Sequence, residues 1–277
     1  SAVAGSRLAT GSEAELPEIQ AWRRAFSKMG LEPTRYRCAA EALLRRFRKE
    51  GSLPQIHPLI DLCNAISLAF AAAGASVARE FVRSAAAAGV VCIDKSSAFR
   101  MEPDVPLVVP EINPEALQRH RGIVANPNCT AIVAMMALAP LHRAAGLRSL
   151  VLSSYQAVSG AGRDGTRELA EQVAKLHDQV EELGHPDLDA LPSGDVFGKT
   201  MAFNVLPKID AFADDGSTGE EVKTVQESRK ILGIADLDVA ATCVRVPVPV
   251  GHSVSLLARF SRVITPEEAR ELLSRAP

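Results

Sequence analysis

Gly122-Ile-Val-Ala125-Asn-Pro-Asn128-Cys129-Thr130 is the stretch on which the fold turns. Gly122–Ala125 is a short apolar run bounded by polar residues, the pattern of a buried strand. Asn-Pro-Asn breaks it, and Thr130–Ala145 continues as an apolar helix. Strand, turn and helix in that order predict an α/β protein. The same turn bears on function. Cys129 stands where the helix opens, facing unpaired N–H groups and the positive end of the helix dipole. Both favour the thiolate, the nucleophilic form of cysteine. The N–H groups could also hold an oxyanion. The competing reading is a small buried hydrophobe.

Outward from this turn the texture is alternating. Ser76–Ala88 reads as an Ala-rich helix, and Val90–Asp94 and Pro106–Val109 as buried strands. Ser149–Ser154 reads as a strand, Arg163–Leu183 as a long amphipathic helix, Phe203–Leu206 as a strand and Glu220–Leu232 as a helix. Asp238–Val246 and Ser253–Val263 are β-rich, and a last helix opens at Thr265-Pro-Glu-Glu with Thr265 as its cap. Strands between helices predict a mixed sheet. Upstream the character differs. Residues 17–50 read as two basic helices, with nine Lys/Arg against four Glu between Glu18 and Glu50. They are either a solvated face or a surface for an acidic partner such as RNA. Pro58–Phe70 reads as a buried helix.

Composition narrows the classes. The 277 residues are 47% apolar and 23% charged, which suits a globular chain of one large domain or two ordinary ones. A net charge of −2 provides no global field for nucleic acid or an anionic membrane, and 4% aromatics argues against stacking platforms for single strands. No apolar run reaches the length of about 20 residues that spans a bilayer, and no secretory signal is visible at Ser1. Cys38, Cys63, Cys92, Cys129 and Cys243 are odd in number and widely spaced, which argues against a disulfide framework or zinc site and for a reducing, cytoplasmic setting.

A thiolate in acyl chemistry needs a base nearby, and six histidines compete. His252 differs from the rest because it follows Pro247-Val-Pro-Val-Gly251, a rigid turn that could fix a ring, although any of the six suits a structural role. Arg245 lies inside the apolar run Val239–Pro247. A buried guanidinium needs an anion, such as a substrate carboxylate, whereas an edge position would leave it in solvent. Arg100 follows a strand end, where α/β folds place ligands, or else forms a surface salt bridge. Glu220-Glu-Val-Lys223 has the ordinary chemistry of a helix start. Gly160-Ala-Gly162-Arg-Asp-Gly165 matches G-x-G-x-x-G, but no second strand follows at nucleotide-fold spacing, and a flexible turn beside the active site is the better reading.

Together these stretches resemble the aspartate-β-semialdehyde dehydrogenase family from about Ala73 onward. The motifs are Gly74-Ala-Ser-Val, Ile93–Glu111, Ala125–Thr130, Tyr155–Gly162, Glu220–Lys223, and Thr242–Pro247 with Gly251-His-Ser. The resemblance implies Cys129 as nucleophile, His252 as acid/base and Gln156 as the residue orienting the acyl group. It places Arg245 and Glu220 on the amino-acid end of the substrate, and Arg100, Lys223 and Asn128 on its phosphate. Gly74, Ser96, Ser97, Ser159, Gly160 and Gly162 would lie along NADP. The implied reaction, in amino-acid biosynthesis, converts L-aspartyl-4-phosphate to the semialdehyde in a homodimer or homotetramer. A related N-acyl-glutamyl-phosphate-type reductase is the neighbouring alternative. The family's opening strand and Gly-rich pyrophosphate turn have no counterpart at the front of the sequence, the family pattern normally continues past Pro277, and Lys95 stands where the family usually has Asn. Residues 17–70 instead resemble the B3/B4 domain of phenylalanyl-tRNA synthetase β chains, through which a non-catalytic fusion would bind tRNA. The expected architecture is α/β: a B3/B4-like helical segment (1–70), the remnant of a dinucleotide-binding sheet (71–129) and an α+β catalytic and dimerisation domain (130–277).

Overall fold

The computed structural model describes residues 74–187 except 88, residues 190–276, the backbone of 68–71, and residues 12–15, 19, 20, 23, 24, 27, 32, 45, 48 and 49. The chain divides into two compact units, Ser1–Leu68 and Ala69–Pro277. In the first, Ile19, Gln20, Arg23, Arg24 and Ser27 are helical, as are Arg45, Arg48 and Lys49. These positions fall in the two expected basic helices; the rest of both, and residues 58–67 of the third, lie outside the described residues. The buried carboxylate of Glu13 sits 3.2 Å from Arg45 and 3.0 Å from Arg48. Two cations of the basic segment therefore have an internal partner.

The second unit holds two small sheets. In the first the strand order is β1 (Leu68–Ala71), β2 (Val91–Asp94), β3 (Ile123–Ala125), with β2 and β3 parallel and Cys92 opposite Ile123. Helix α1 (Ala75–Ala87) packs on β2 through Ala78 and Val82. Helix α2 (Cys129–Ala145) follows β3. In the second sheet β4 (Leu147–Gln156) is central, parallel to β5 (Asp238–Arg245) and antiparallel to β6 (Ser253–Phe260). Strand β4 alternates: Leu150, Leu152, Ser154 and Gln156 are buried, whereas Val151 and Tyr155 are exposed. The period of two sends one set into the core with Ala131, Met135 and Leu138 of α2 and Ile231 of α4 (Gly219–Leu232). Burial therefore runs along the strand to Gln156, and the last inward residue is polar. Helix α4 opens with a reciprocal cap: Glu221 N–H donates to Thr218 Oγ1 and Thr218 N–H to Glu221 Oε2. Thr265 caps α5 (Pro266–Ser274) as expected, accepting from Glu268 N–H at 3.2 Å. Among the described residues no helix is long and apolar enough to cross a membrane.

Four segments depart from expectation. The end of the expected helix Pro58–Phe70 is strand β1, because a neighbouring edge holds the chain extended, and a short apolar run has no period to oppose that. Pro106–Val109 makes one parallel bridge, Leu107 to Ala125, and no strand. There the Asn113 side chain replaces a ladder partner, accepting from Val109 N–H at 2.8 Å and donating to Leu107 C=O at 2.9 Å. Phe203–Leu206 likewise makes a single antiparallel bridge, Leu206 to Arg245, after a turn at Phe203 with φ 58°. The long helix ends early: α3 spans Gly162–Leu176, and 3-10 turns at His177–Gln179 and Glu182–Gly184 follow.

Two acceptors on α3 organise the loop that leads to Leu206. Glu168 accepts from Val196 N–H at 2.7 Å and Phe197 N–H at 3.3 Å. One turn on, Gln172 Oε1 accepts from Met201 N–H at 2.6 Å and Ala202 N–H at 3.1 Å. A Cβ on Gly194 would lie 1.9 Å from the Glu168 carboxyl carbon, so a larger residue there would push that carboxylate off its two N–H donors. Met201 and Ala202 are buried, so no water replaces a lost acceptor. Gln172→Ala is expected to cost about 2–3 kcal/mol, the penalty for burying unpaired N–H groups, read as a lower midpoint in urea denaturation.

Candidate active site

The turn after β3 is built by its own polar atoms. Asn126 N–H donates to Asp94 C=O at 2.8 Å, extending the β2–β3 ladder by one bond. Asn128 is extended (φ −60°, ψ 143°) and caps α2, its side-chain oxygen accepting from Thr130 N–H at 2.8 Å and Ala131 N–H at 3.4 Å. Cys129 is the first helical residue and is exposed, whereas Cys92 and Cys243 are buried; Cys38 and Cys63 lie outside the described residues. The expected lowering of its thiol is not what the surroundings produce. Partial desolvation and the charge of Glu220 push the Cys129 thiol up, against the opposing pull of Thr130.

Glu220 is the hub. It is only 5% exposed, and its Oε1 accepts from Asn128 Nδ2 at 2.9 Å and Gln156 Nε2 at 3.1 Å. Gln156 also donates to Thr130 Oγ1 at 2.5 Å, which ties the end of β4 to the first turn of α2. Arg245 is the parallel neighbour of Gln156 and is 8% exposed, so the edge-residue reading fails. Burial pushes its guanidinium down, while the charges of Glu220 and Cys129 act in the other direction, which puts both within electrostatic reach. The two backbone polar groups of Ala157 hold two functional side chains. Its C=O accepts from Arg245 at 2.9 Å, and its N–H donates to His252 Nδ1 at 3.1 Å. Burial, then Arg245, push the His252 ring down, so it is neutral near pH 7. With Nδ1 accepting, the ring proton sits on Nε2. Gly160 closes this corner: a Cβ there would lie 2.8 Å from the Arg245 guanidinium and 3.5 Å from His252 Nε2.

The remaining cations lie along α4. Arg100 is buried, with Nε on Asn126 C=O at 2.9 Å, one terminal nitrogen on Glu227 at 3.0 Å and the other on Lys95 C=O at 3.1 Å. It is a buried ion pair and not a surface one. Glu227 also accepts Asn128 N–H at 2.5 Å. Burial pushes this carboxyl up, opposed by Arg100 and that N–H. Lys223 bonds Asp210 and stands 3.6 Å from Glu220. Burial disfavours its charge, but the Asp210 bond and both carboxylates raise it overall. Lys230 donates to the C=O groups of Arg100, Glu102 and Val105 at 2.7–2.9 Å and fixes the segment carrying Arg100. Sequence reasoning missed Glu227, Lys230, Thr130 and Ala157. The first two were within reach, because positions 220, 223, 227 and 230 share one helix face.

The residues assigned to a cofactor are more scattered. Ser96 turns inward, its hydroxyl donating to Asp94 at 2.9 Å and accepting from Ala98 N–H at 3.1 Å, while Ser97 is exposed. Gly74 (φ 97°) precedes α1, and Ala78 N–H bonds its C=O. Ser159 N–H bonds Pro249 C=O at 3.2 Å, beside the His252 turn. The G-x-G-x-x-G match follows the central strand of the mixed sheet and opens α3; Gly165 there packs against Val158 C=O and the Phe197 ring. Among the described residues no cluster of potential ligands fits a metal ion.

Comparison with known proteins places this geometry in context. The model for the semialdehyde dehydrogenase dimerisation domain matches residues 138–277, and that for the semialdehyde dehydrogenase NAD binding domain matches residues 42–120. The Cys129 turn lies between the two. The sequence is 49% identical over 219 residues to the aspartate-semialdehyde dehydrogenase of Mycolicibacterium smegmatis, covering 76% of this chain and 63% of that protein. With the Streptomyces akiyoshiensis enzyme of the same name it shares 44% over 260 residues, 92% of this chain and 76% of that one. The crystal structure of aspartate semialdehyde dehydrogenase II from Vibrio cholerae superposes with a TM-score of 0.69 at 41% identity, covering 76% of this chain and 60% of that one. The chain thus spans only 60–63% of the length of the Vibrio and Mycolicibacterium proteins.

The thiol's environment has a measurable consequence. Cys129 is expected to react with iodoacetamide ahead of Cys92 and Cys243, with a rate still climbing above pH 8. Glu220→Gln removes the charge that disfavours the thiolate, so alkylation of Cys129 at pH 7.5 should accelerate severalfold, as read by peptide mass spectrometry. A slower rate in that variant contradicts the electrostatic assignment.

Proposed function

The chain belongs to the aspartate-semialdehyde dehydrogenase family, and on that premise we propose that it carries the family's acyl-phosphate reduction, converting L-aspartyl-4-phosphate to L-aspartate-4-semialdehyde with NADPH. The observation that supports this reading is the hydrogen-bonded assembly of Asn128, Gln156 and Glu220 around the Cys129 turn, with Arg245 and His252 on the backbone C=O and N–H of Ala157 beside it. An α-amino acid brings a carboxylate and an ammonium. Arg245 suits the first and Glu220 the second, which favours aspartyl phosphate over an N-acyl-glutamyl phosphate, whose nitrogen is uncharged.

Each residue then has a task. Desolvation and then Glu220 hold the Cys129 thiol up; pairing of Glu220 with the substrate ammonium cancels the second of these, and the proton leaves to solvent. The thiolate attacks the acyl carbon; a C–S bond forms, the acyl C–O bond to phosphate breaks, and Arg100 and Lys223 face the departing anion. Gln156 orients the acyl group from the end of β4. Once hydride has added to the thioester carbon, the His252 Nε2–H would donate to the resulting hemithioacetal alkoxide on Cys129, whose collapse re-forms the C=O bond and breaks the C–S bond to release the aldehyde and the thiolate.

The residues of the α3 start fit a dinucleotide. The N–H of Gly162 bonds Ser159 C=O, but Ala161 provides no side-chain cap for the N–H groups that follow, and the space beside Gly162 is open. Ser159, Gly160 and Gly162 would line it, with Ser96, Ser97 and Gly74 on the first sheet. NADPH supplies the hydride when bound. We place the protein in the cytoplasm, where reduced thiols persist.

A second copy is the proposed partner. The outer face of the second sheet carries Val151 (50% exposed), Tyr155 (44%) and Leu257 (61%), with Val151 directly opposite Leu257. These large apolar side chains, in a row with Ser149, Ser153, Ser255 and Arg259, suit a mixed self-association surface, and Leu257→Arg is expected to halve the mass seen by sedimentation equilibrium; an unchanged mass contradicts a dimer through this face.

The activity is tested in the direction of semialdehyde, phosphate and NADP+, by the absorbance of the reduced nicotinamide. Turnover that disappears in Cys129→Ser is the expected result. Arg245→Lys should raise KM for the semialdehyde about tenfold or more, because lysine cannot reproduce a bidentate hold on a carboxylate. No saturable NADP binding by calorimetry would overturn the reading.

A further inference from the structure

The guanidinium of Arg100 has five N–H groups, and the structure uses three of them. Two go to fixed backbone carbonyls, of Asn126 and Lys95, and one goes to Glu227. The carbonyls hold the plane of the group, and Lys230 fixes the backbone behind it through three C=O groups of residues 100–105. The orientation of Arg100 therefore does not depend on Glu227. What Glu227 provides is charge: a carboxylate 3.0 Å from a buried cation. A buried guanidinium without an anion is costly, so it binds any anion that reaches it. We propose that Glu227 is an internal counter-ion that competes with the substrate's phosphate for Arg100 and keeps the affinity of that site low enough for phosphate to leave.

The inference rests on the assignment of Arg100 to the phosphate made above. It adds a residue that touches neither the thiol nor the substrate and acts through Arg100. A second contact shows why the conservative variant is informative. Glu227 Oε2 accepts the Asn128 N–H at 2.5 Å, and Glu227 Oε1 accepts from Arg100. In Glu227→Gln the amide oxygen can keep the Asn128 bond, so the Cys129 turn stays in place. The amide nitrogen cannot accept from Arg100, so one charged N–H is released to a ligand. A purely structural lesion would loosen Arg100 and weaken anion binding. Loss of a competitor strengthens it. The two roles predict opposite signs.

The experiment is calorimetric titration of the purified protein with inorganic phosphate, alongside Glu227→Gln, Glu227→Asp and Arg100→Gln, with a melting temperature for each. Glu227→Gln is expected to lower Kd about tenfold, the worth of one charge-assisted contact. Glu227→Asp, whose carboxylate is withdrawn by a methylene, should fall between it and the wild type. Arg100→Gln should show no saturable binding. If Arg100→Gln loses binding but Glu227→Gln binds no tighter than the wild type, the counter-ion role is refuted while the phosphate role of Arg100 stands. If Arg100→Gln binds like the wild type, the phosphate assignment falls and the inference with it. Should Glu227→Gln fail to fold, Glu227→Asp decides alone, and a Kd at or above the wild-type value overturns the proposal.

Discussion

The site depends on one buried carboxylate. Glu220 takes hydrogen bonds from Asn128, which caps the helix bearing the thiol, and from Gln156, which ends the central strand. These two donors come from stretches of chain far apart in sequence, and Glu220 sits on a third. A charge so placed is costly to desolvate and stays because both neighbours donate to it. Its electrostatic effect is the price of that geometry: the same carboxylate that assembles the site disfavours the thiolate at its centre. On the proposed function, a substrate ammonium paired with Glu220 would relieve this conflict and favour the thiolate when substrate is bound.

The rest of the fold reads as support for that contact. Helix α4 presents Glu220, Lys223, Glu227 and Lys230 along one face and reaches from the second sheet to the segment after β2. The parallel pairing of β4 with β5 places Gln156 beside Arg245, and the residue that follows, Ala157, holds Arg245 and His252 together through its backbone. Arg245 is held again from the other side, by paired backbone bonds with Leu206. The loop leading to Leu206 is in turn pinned by Glu168 and Gln172. Packing in α3 is thus linked, through backbone, to the position of a guanidinium in the site.

Much of this was legible in the sequence, for identifiable reasons. The turn around Cys129 announces itself by a strand, a Pro-containing break and a long apolar run. The cap at Thr265 follows from side-chain chemistry within four residues. Arg245 inside an apolar run left burial and an edge position open; the side chain is buried, its guanidinium on the Ala157 carbonyl. The failures share a cause, since each was settled by a contact distant in sequence. Leu68–Ala71 is extended because of its neighbour strand, and Pro106–Val109 is irregular because Asn113 takes its bonds. The thiol was expected to be acidified by its own helix. The structure adds partial desolvation of the sulfur and then Glu220, 91 positions downstream, and both act against that. Glu227 was overlooked because a carboxylate on a polar helix looks like solvent-facing charge until Arg100 is seen against it.

The most direct measurement is the thiolate titration of Cys129, taken as the ultraviolet difference between the protein and its Cys129→Ser variant, with and without L-2-aminobutyrate. That compound carries an ammonium and a carboxylate and has no electrophilic carbon. If Glu220 restrains the sulfur until a positive charge pairs with it, the titration midpoint falls when the amino acid is added. A midpoint that stays put or rises under saturating ligand contradicts the account.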